Sequence, residues 1–117
     1  MTNNTQNARL AVSLMDLTSL NTDDSQASIS ALVNSINPKL GTPAALCVFS
    51  EFVADAKIAL ANRLLSHVKV ATVTNFPSGD APLNEVLNET LIALERGADE
   101  IDLVIPYKAL LKGAVDT

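Results

Sequence analysis

Two carboxylates and a thiol stand where a purely structural sequence would place hydrocarbon. Asp102 lies within ADEIDLVIPY (98–107), flanked by Ile101 and by Leu103, Val104 and Ile105, a strand that reads as buried on both faces. Asp16 lies within LMDLTSL (14–20) and Cys47 within AALCVF (44–49). A carboxylate in such a strand carries a heavy desolvation cost unless a cation pairs with it or it keeps its proton. The chemistry open to such a group is proton transfer or the neutralisation of a cation. Cys47 taken alone reads as a small buried apolar residue, because free cysteine behaves that way. His67 has no second His or Cys nearby, which argues against a metal site. The stretch NFPSGD (75–80) has one glycine and no lysine, so it is no phosphate-cradling P-loop.

Alternation along strands groups these residues. Leu14, Asp16 and Thr18 share one face of a first strand, and Ala45, Cys47 and Phe49 share one face of a second. Ala71, Val73 and Asn75 do so in a third, with Thr72 and Thr74 on the other parity as strand formers. In the fourth, Asp102 and Val104 oppose Ile101, Leu103 and Ile105. If the polar faces converge, Asp16, Thr18, Cys47 and Asp102 line one cavity at the carboxyl end of a sheet, where parallel α/β proteins bind ligands.

The elements that must hold them follow from pattern. Strands are expected near 14–18, 44–49, 68–75 and 100–105, after a short helix over 8–14. Thr22 or Asp23 opens a helix whose Ile29, Leu32, Val33 and Ile36 form one stripe, and Asn37-Pro38 stops it. Ser50 or Glu51 opens the next helix, with Val53, Ala56, Leu60 and Leu64 facing inward. Asp80 caps a third, Pro82 sits in its first turn, and Leu83, Val86, Leu87, Leu91 and Leu94 make its buried stripe before Gly97 ends it. Strands separated by helices imply right-handed crossovers and a parallel sheet.

Composition narrows the function classes. The chain of 117 residues suits a single domain over 1–117, and 48% apolar residues suffice for a core. A net charge of −5, no Trp and 3% aromatic content oppose nucleic-acid binding. The N-terminus MTNNTQNAR lacks the apolar segment of a signal peptide, and no window approaches a membrane span. One cysteine cannot form an internal disulfide, so a reducing cytoplasmic setting is expected.

With these residues placed, the sequence resembles deoxyribose-phosphate aldolase, in its bacterial form with MDLT. LMDLTSLN, AALCVF, VKVATVTNFPSG and GADEIDLVIPY are similar to that family's first four strands, in order, from about Leu14 to Leu111. The resemblance implies the N-terminal half of a (β/α)8 TIM barrel, four parallel strands alternating with helices. It implies reversible aldol cleavage of 2-deoxy-D-ribose 5-phosphate to glyceraldehyde 3-phosphate and acetaldehyde through a lysine Schiff base, without metal or organic cofactor. Asp102 then matches the aspartate that relays protons beside a lysine pair, and Cys47 a pocket cysteine that is not the nucleophile. Asp16, Thr18, Leu20, Val73 and Phe76 match residues of the substrate site.

The family's lysine pair and phosphate loops lie on later strands, beyond Thr117. Lys39, Lys57, Lys69, Lys108 and Lys112 fall in loops, a helix or strand ends. A chain of this length is therefore expected to be inactive alone, with a small phosphorylated sugar as the parent's substrate and with exposed strand edges favouring self-association. A flavodoxin-like binding module and a self-assembling structural fragment are the alternatives. The first requires helices on both sheet faces.

Overall fold

A computed structural model describes residues 3–113. Helix α1 (Asn3–Ser13) leads into strand β1 (Asp16–Ser19), α2 (Gln26–Asn34) and β2 (Ala45–Val48). A 3₁₀ turn (Ser50–Phe52) then precedes α3 (Val53–Asn62), β3 (Lys69–Thr74), α4 (Leu83–Glu95), β4 (Glu100–Leu103) and α5 (Tyr107–Leu111). The four strands form one parallel sheet in the order β1-β2-β3-β4. A doubly wound, flavodoxin-like sheet would reverse its order at a switch point; this one does not. The fold is half of a TIM barrel, opened along two strand edges.

The core lies on one side of the sheet. Leu46, Val48 and Val70 from the strands pack with Ile29, Val33 and Ile36 of the α2 region, and with Val53, Ala56 and Leu60 of α3. Ala93 of α4 and Ala98 join them. The other side carries only Ala45, Cys47 and Ala71, with Leu20 and Val73 against them, and no helix residue belongs to that cluster. This one-sided layering is what a single turn of βα crossovers produces.

The register places the polar residues in rows across the open face. Asp16 pairs with Ala45 and Ala45 with Lys69, at the amino end. Thr18 pairs with Cys47, Cys47 with Ala71 and Ala71 with Glu100. Val73 pairs with Asp102, nearest the carboxyl end.

Several sequence expectations are corrected by packing. Strand β1 begins at Asp16 because α1 runs on to Ser13, so Leu14 is an exposed turn residue. Neither Thr22 nor Asp23 caps α2. Ser25 does, accepting from the Ser28 N–H while Ser28 Oγ accepts from the Ser25 N–H. Asp24 instead draws hydrogen bonds from Ser19, the Asn21 N–H and Ser28. Burial pulls its carboxyl upward, but those donors hold it below the ordinary carboxylate range.

Helix α3 stops one turn before its apolar stripe does. Leu64 adopts φ +58 and is 89% exposed, while Leu65 enters the core. The Leu65 N–H reaches Leu60 O and the Leu64 N–H reaches Ala61 O, a Schellman ending with leucine where glycine is usual. Gly97, at φ +102, ends α4 in the same manner and delivers Ala98 to the core.

The largest differences lie at the β4 edge. Of the expected α4 stripe only Val86 is buried; Leu83, Leu87, Leu91 and Leu94 are exposed, and Thr90 and Ala93 supply the inward contacts. Helix α4 rests on β3 and the 3₁₀ turn, so its leucine side extends past the sheet. For the same reason β4 is not buried on both faces: Leu103 and Ile105 are more than half exposed. Asp80 does not cap α4, whose start lacks a side-chain cap. It pairs with Lys108 at 2.9 Å instead, joining the loop before α4 to α5.

Candidate functional site

The open face brings Cys47 and Asp102 into contact across an intervening strand. Cys47 Sγ lies 3.8 Å from Asp102 Oδ2. Cys47 is level with Ala71 and Asp102 with Val73, so the contact runs diagonally over β3, past a residue with only a methyl side chain. The strand alternation that grouped these residues in the sequence is thus realised in space.

The Cys47 thiol is pushed up to about 11. Burial is the main cause, followed by the negative charges of Asp102 and Asp16, the Asp102 hydrogen bond, and the charge of Glu100. At neutral pH the group is a thiol, and a thiol is a poor nucleophile. Its contribution on this face is bulk and a weak S–H donor.

The other expected site residues spread along the same face. Thr18 stands beside Cys47 in the register and is exposed. Leu20 and Val73 pack on the Ala45–Cys47–Ala71 cluster. Phe76 meets Phe49 edge to face with ring centroids 6.0 Å apart, and both share with Val73 a groove of about 350 Å³. Asp16 stands at the amino end, where it lines a separate groove of about 220 Å³ with Val12 and Met15 of the α1 region. Asp16, Thr18, Cys47 and Asp102 therefore line an open surface graded from one end of the sheet to the other. The groove that Asp16 lines contains none of the other three.

Two residues of this face escape a reading based on unusual types. Glu100 precedes Asp102 by two positions, points to the same side, and adds its charge to the surroundings of Cys47. Its parity was the available signal, masked by its position at a strand end. Lys69 has the parity of Ala71 and Val73, and is the one lysine on the open face, at the amino end opposite Ala45. Asp16, Glu100 and Asp102 make the face predominantly acidic.

Two other lysines are held in ion pairs. Lys57 pairs with Asp99 at 3.1 Å and Lys108 with Asp80. Among the described residues no ion pair joins a lysine to Asp102. No group of His, Cys, Asp and Glu side chains among them is arranged to hold a metal ion.

No family model matches the sequence. Solved structures do match. The deoxyribose phosphate aldolase of Aeropyrum pernix, described as a tetramer of unique structure, is 26% identical with a TM-score of 0.67. The match covers 88% of this chain and 47% of that one. A protein of Coccidioides immitis assigned as a deoxyribose-phosphate aldolase is 25% identical with a TM-score of 0.78, over 90% of this chain and 40% of its own. One from Toxoplasma gondii with the same assignment reaches a TM-score of 0.81 at 21% identity, over 97% and 42%. The chain has the fold of the N-terminal half of a deoxyribose-phosphate aldolase. It spans less than half the length of each of these aldolase structures.

Proposed function

We infer that this chain supplies the first four βα units of an aldolase that reversibly cleaves 2-deoxy-D-ribose 5-phosphate to glyceraldehyde 3-phosphate and acetaldehyde. The observation carrying this reading is the Cys47–Asp102 contact at 3.8 Å on the open face of a sequentially ordered parallel sheet. Asp102 is the acid–base residue, and its carboxylate relays protons beside a Schiff-base lysine contributed from outside residues 1–117. Cys47 remains a thiol and shapes the pocket; Thr18, Leu20, Val73 and Phe76 form the substrate wall, and Asp16 sets the charge at its amino end.

By itself the 117-residue chain forms no imine. An imine-forming amine must be desolvated or stand beside another cation, whereas Lys57 and Lys108 are held in exposed ion pairs and Lys69 is exposed at the amino end. The unpaired edges of β1 and β4, with the bare leucines of α4, favour self-association in the absence of a second half. A reducing cytoplasm suits the unpaired Cys47, and no helix among the described residues is long and apolar enough to cross a membrane.

The test is acetaldehyde release from 2-deoxyribose 5-phosphate by this chain alone, and by this chain mixed with the second half of an aldolase barrel. Release is expected only from the mixture, and there Asp102→Asn is expected to lower kcat by about 10²–10⁴-fold, the usual range for a lost general acid–base group. Activity of the chain alone would overturn its inactivity. An unchanged kcat in the mixture made with the Asp102→Asn variant would overturn the role of Asp102. Light scattering of the chain alone tests self-association, and a monomer of 12.3 kDa at micromolar concentration argues against it.

A further inference from the structure

Asn75, which follows β3, makes two side-chain and two backbone hydrogen bonds, and the acid–base chemistry has no direct use for it. It is almost fully buried and adopts φ +57, a left-handed conformation that asparagine tolerates better than most residues. Its backbone N–H turns away from the sheet to Glu89 Oε1 of α4 at 2.6 Å. Its backbone carbonyl accepts from the Gly79 N–H at 2.9 Å. The side chain then works in two directions: Oδ1 accepts from the Ala81 N–H and Nδ2 donates to Val104 O, both at 2.9 Å.

The bond to Val104 has a specific consequence for β4. The last backbone bond of the β3–β4 ladder runs from the Val104 N–H to Thr74 O. Continuing a parallel ladder would require the Phe76 N–H for Val104 O, but the left-handed turn at Asn75 carries the chain away. The carboxamide takes over that position. Strand β4 has no neighbour on its other side, so this bond and the Val104 N–H bond to Thr74 O together hold its carboxyl end, two residues beyond Asp102. Asp99 holds the amino end in a comparable way. Its N–H donates to Val70 O at 2.8 Å and its carboxylate accepts from the Val70 N–H at 2.9 Å.

We propose that Asn75 is the positioning residue of the open face, clamping the carboxyl end of β4 and so setting where Asp102 stands against Cys47. The value of that placement for catalysis rests on the acid–base reading of Asp102 given above; the placement itself does not. Groups facing the thiol are Asp16 from β1, Glu100 and Asp102 from β4, and Lys69 of β3 at the amino end, so displacing Asp102 removes the nearest charge.

Cys47 is the only cysteine, so its thiolate absorbance, followed against pH as the difference from a Cys47→Ala chain, reports on Asp102 directly. Asp102→Asn is expected to lower the thiol midpoint by about one unit, the usual size for loss of one close charge. Asn75→Gly, which keeps the left-handed turn but removes the carboxamide, is expected to lower it in the same direction. The double variant is expected to go no lower than Asp102→Asn alone, because both act through one carboxylate. A folded Asn75→Gly variant that titrates as the parent does would overturn the proposal, since a merely stabilising role leaves the thiol unmoved. Exchange of the Asn75 side-chain amide protons in the unaltered chain, read by NMR, serves if Asn75→Gly does not fold. Slow exchange is expected, and exchange at the rate of an exposed carboxamide would overturn the clamp. No substrate enters either measurement, so an inert complemented barrel defeats the aldolase reading while leaving this result standing.

Discussion

The two faces of the sheet share four strands and differ in almost everything else. Leu46, Val48 and Val70 on the helix-covered face are fully buried among side chains from three helices and the segments between them. On the open face Cys47 and Ala71 are buried too, yet their cover is Leu20, Val73 and each other, and the flanking Asp16, Thr18, Glu100 and Asp102 are exposed. One face is organised by volume and the other by charge. Stability is concentrated on the first, which leaves the second free to carry carboxylates that no core would accept.

Breaking that contrast is simplest at adjacent residues of β2. Leu46→Ala is expected to cost about 2–5 kcal/mol in urea unfolding, as for other large-to-small core changes. Cys47→Ala, one residue away and facing the other side, is expected to cost no more than about 1 kcal/mol. Equal losses would show that both faces contribute alike.

Gly79 tests the boundary between the faces. It adopts φ +74, and a Cβ there would stand 2.5 Å from Ile105 O. Gly79→Ala is expected to destabilise by about 1–3 kcal/mol and to speed amide exchange at the end of β4 while leaving β2 unchanged. Uniform exchange throughout the sheet would contradict local action.

Thr72 and Thr74 are the exceptions on the helix-covered face, fully buried with hydroxyls that find no hydrogen-bond partner. Replacing an unsatisfied hydroxyl by a methyl of equal shape relieves its desolvation cost. Thr72→Val is expected to raise stability by about 1 kcal/mol, measured as a higher urea midpoint; a lower midpoint would mean the hydroxyl is bonded in solution.

The remaining contrast is the pH response of the open face. The folded thiol titrates at about 11 against 9.0 as the ordinary value, so the folded chain holds this proton more tightly than the unfolded chain. Its contribution to stability is complete below pH 9 and is lost as pH rises through 11. Cys47→Ala is expected to flatten the stability profile over that window, and an unchanged profile would assign it to other groups.

Much of this was legible in the sequence because strand alternation is rigid. Placing Asp16, Thr18, Cys47 and Asp102 on one face needed only a period of two, and the strand register has that same parity. What failed were inferences that assume every apolar stripe finds cover. The leucines of α4 obey helical periodicity and remain exposed, because burial depends on a neighbour that periodicity cannot supply. Termini failed for a related reason: Ser25 rather than Thr22 or Asp23 caps α2, and Leu65 rather than Leu64 enters the core, choices decided by a pair of hydrogen bonds at each end. Asn75 has the parity of the open face, but its role comes from a turn that leaves the strand.

The sequential strand order makes the two open edges of the sheet unlike one another. Edge β1 cannot meet a copy of itself in parallel register, so contact between chains through parallel pairing joins the β4 edge of one to the β1 edge of the next. Such a contact is heterologous, and every added copy presents the same two free edges again. Two copies curved enough to meet close into an eight-stranded ring; copies that are too flat continue as a filament. Curvature, rather than affinity, decides between a finite particle and a fibre.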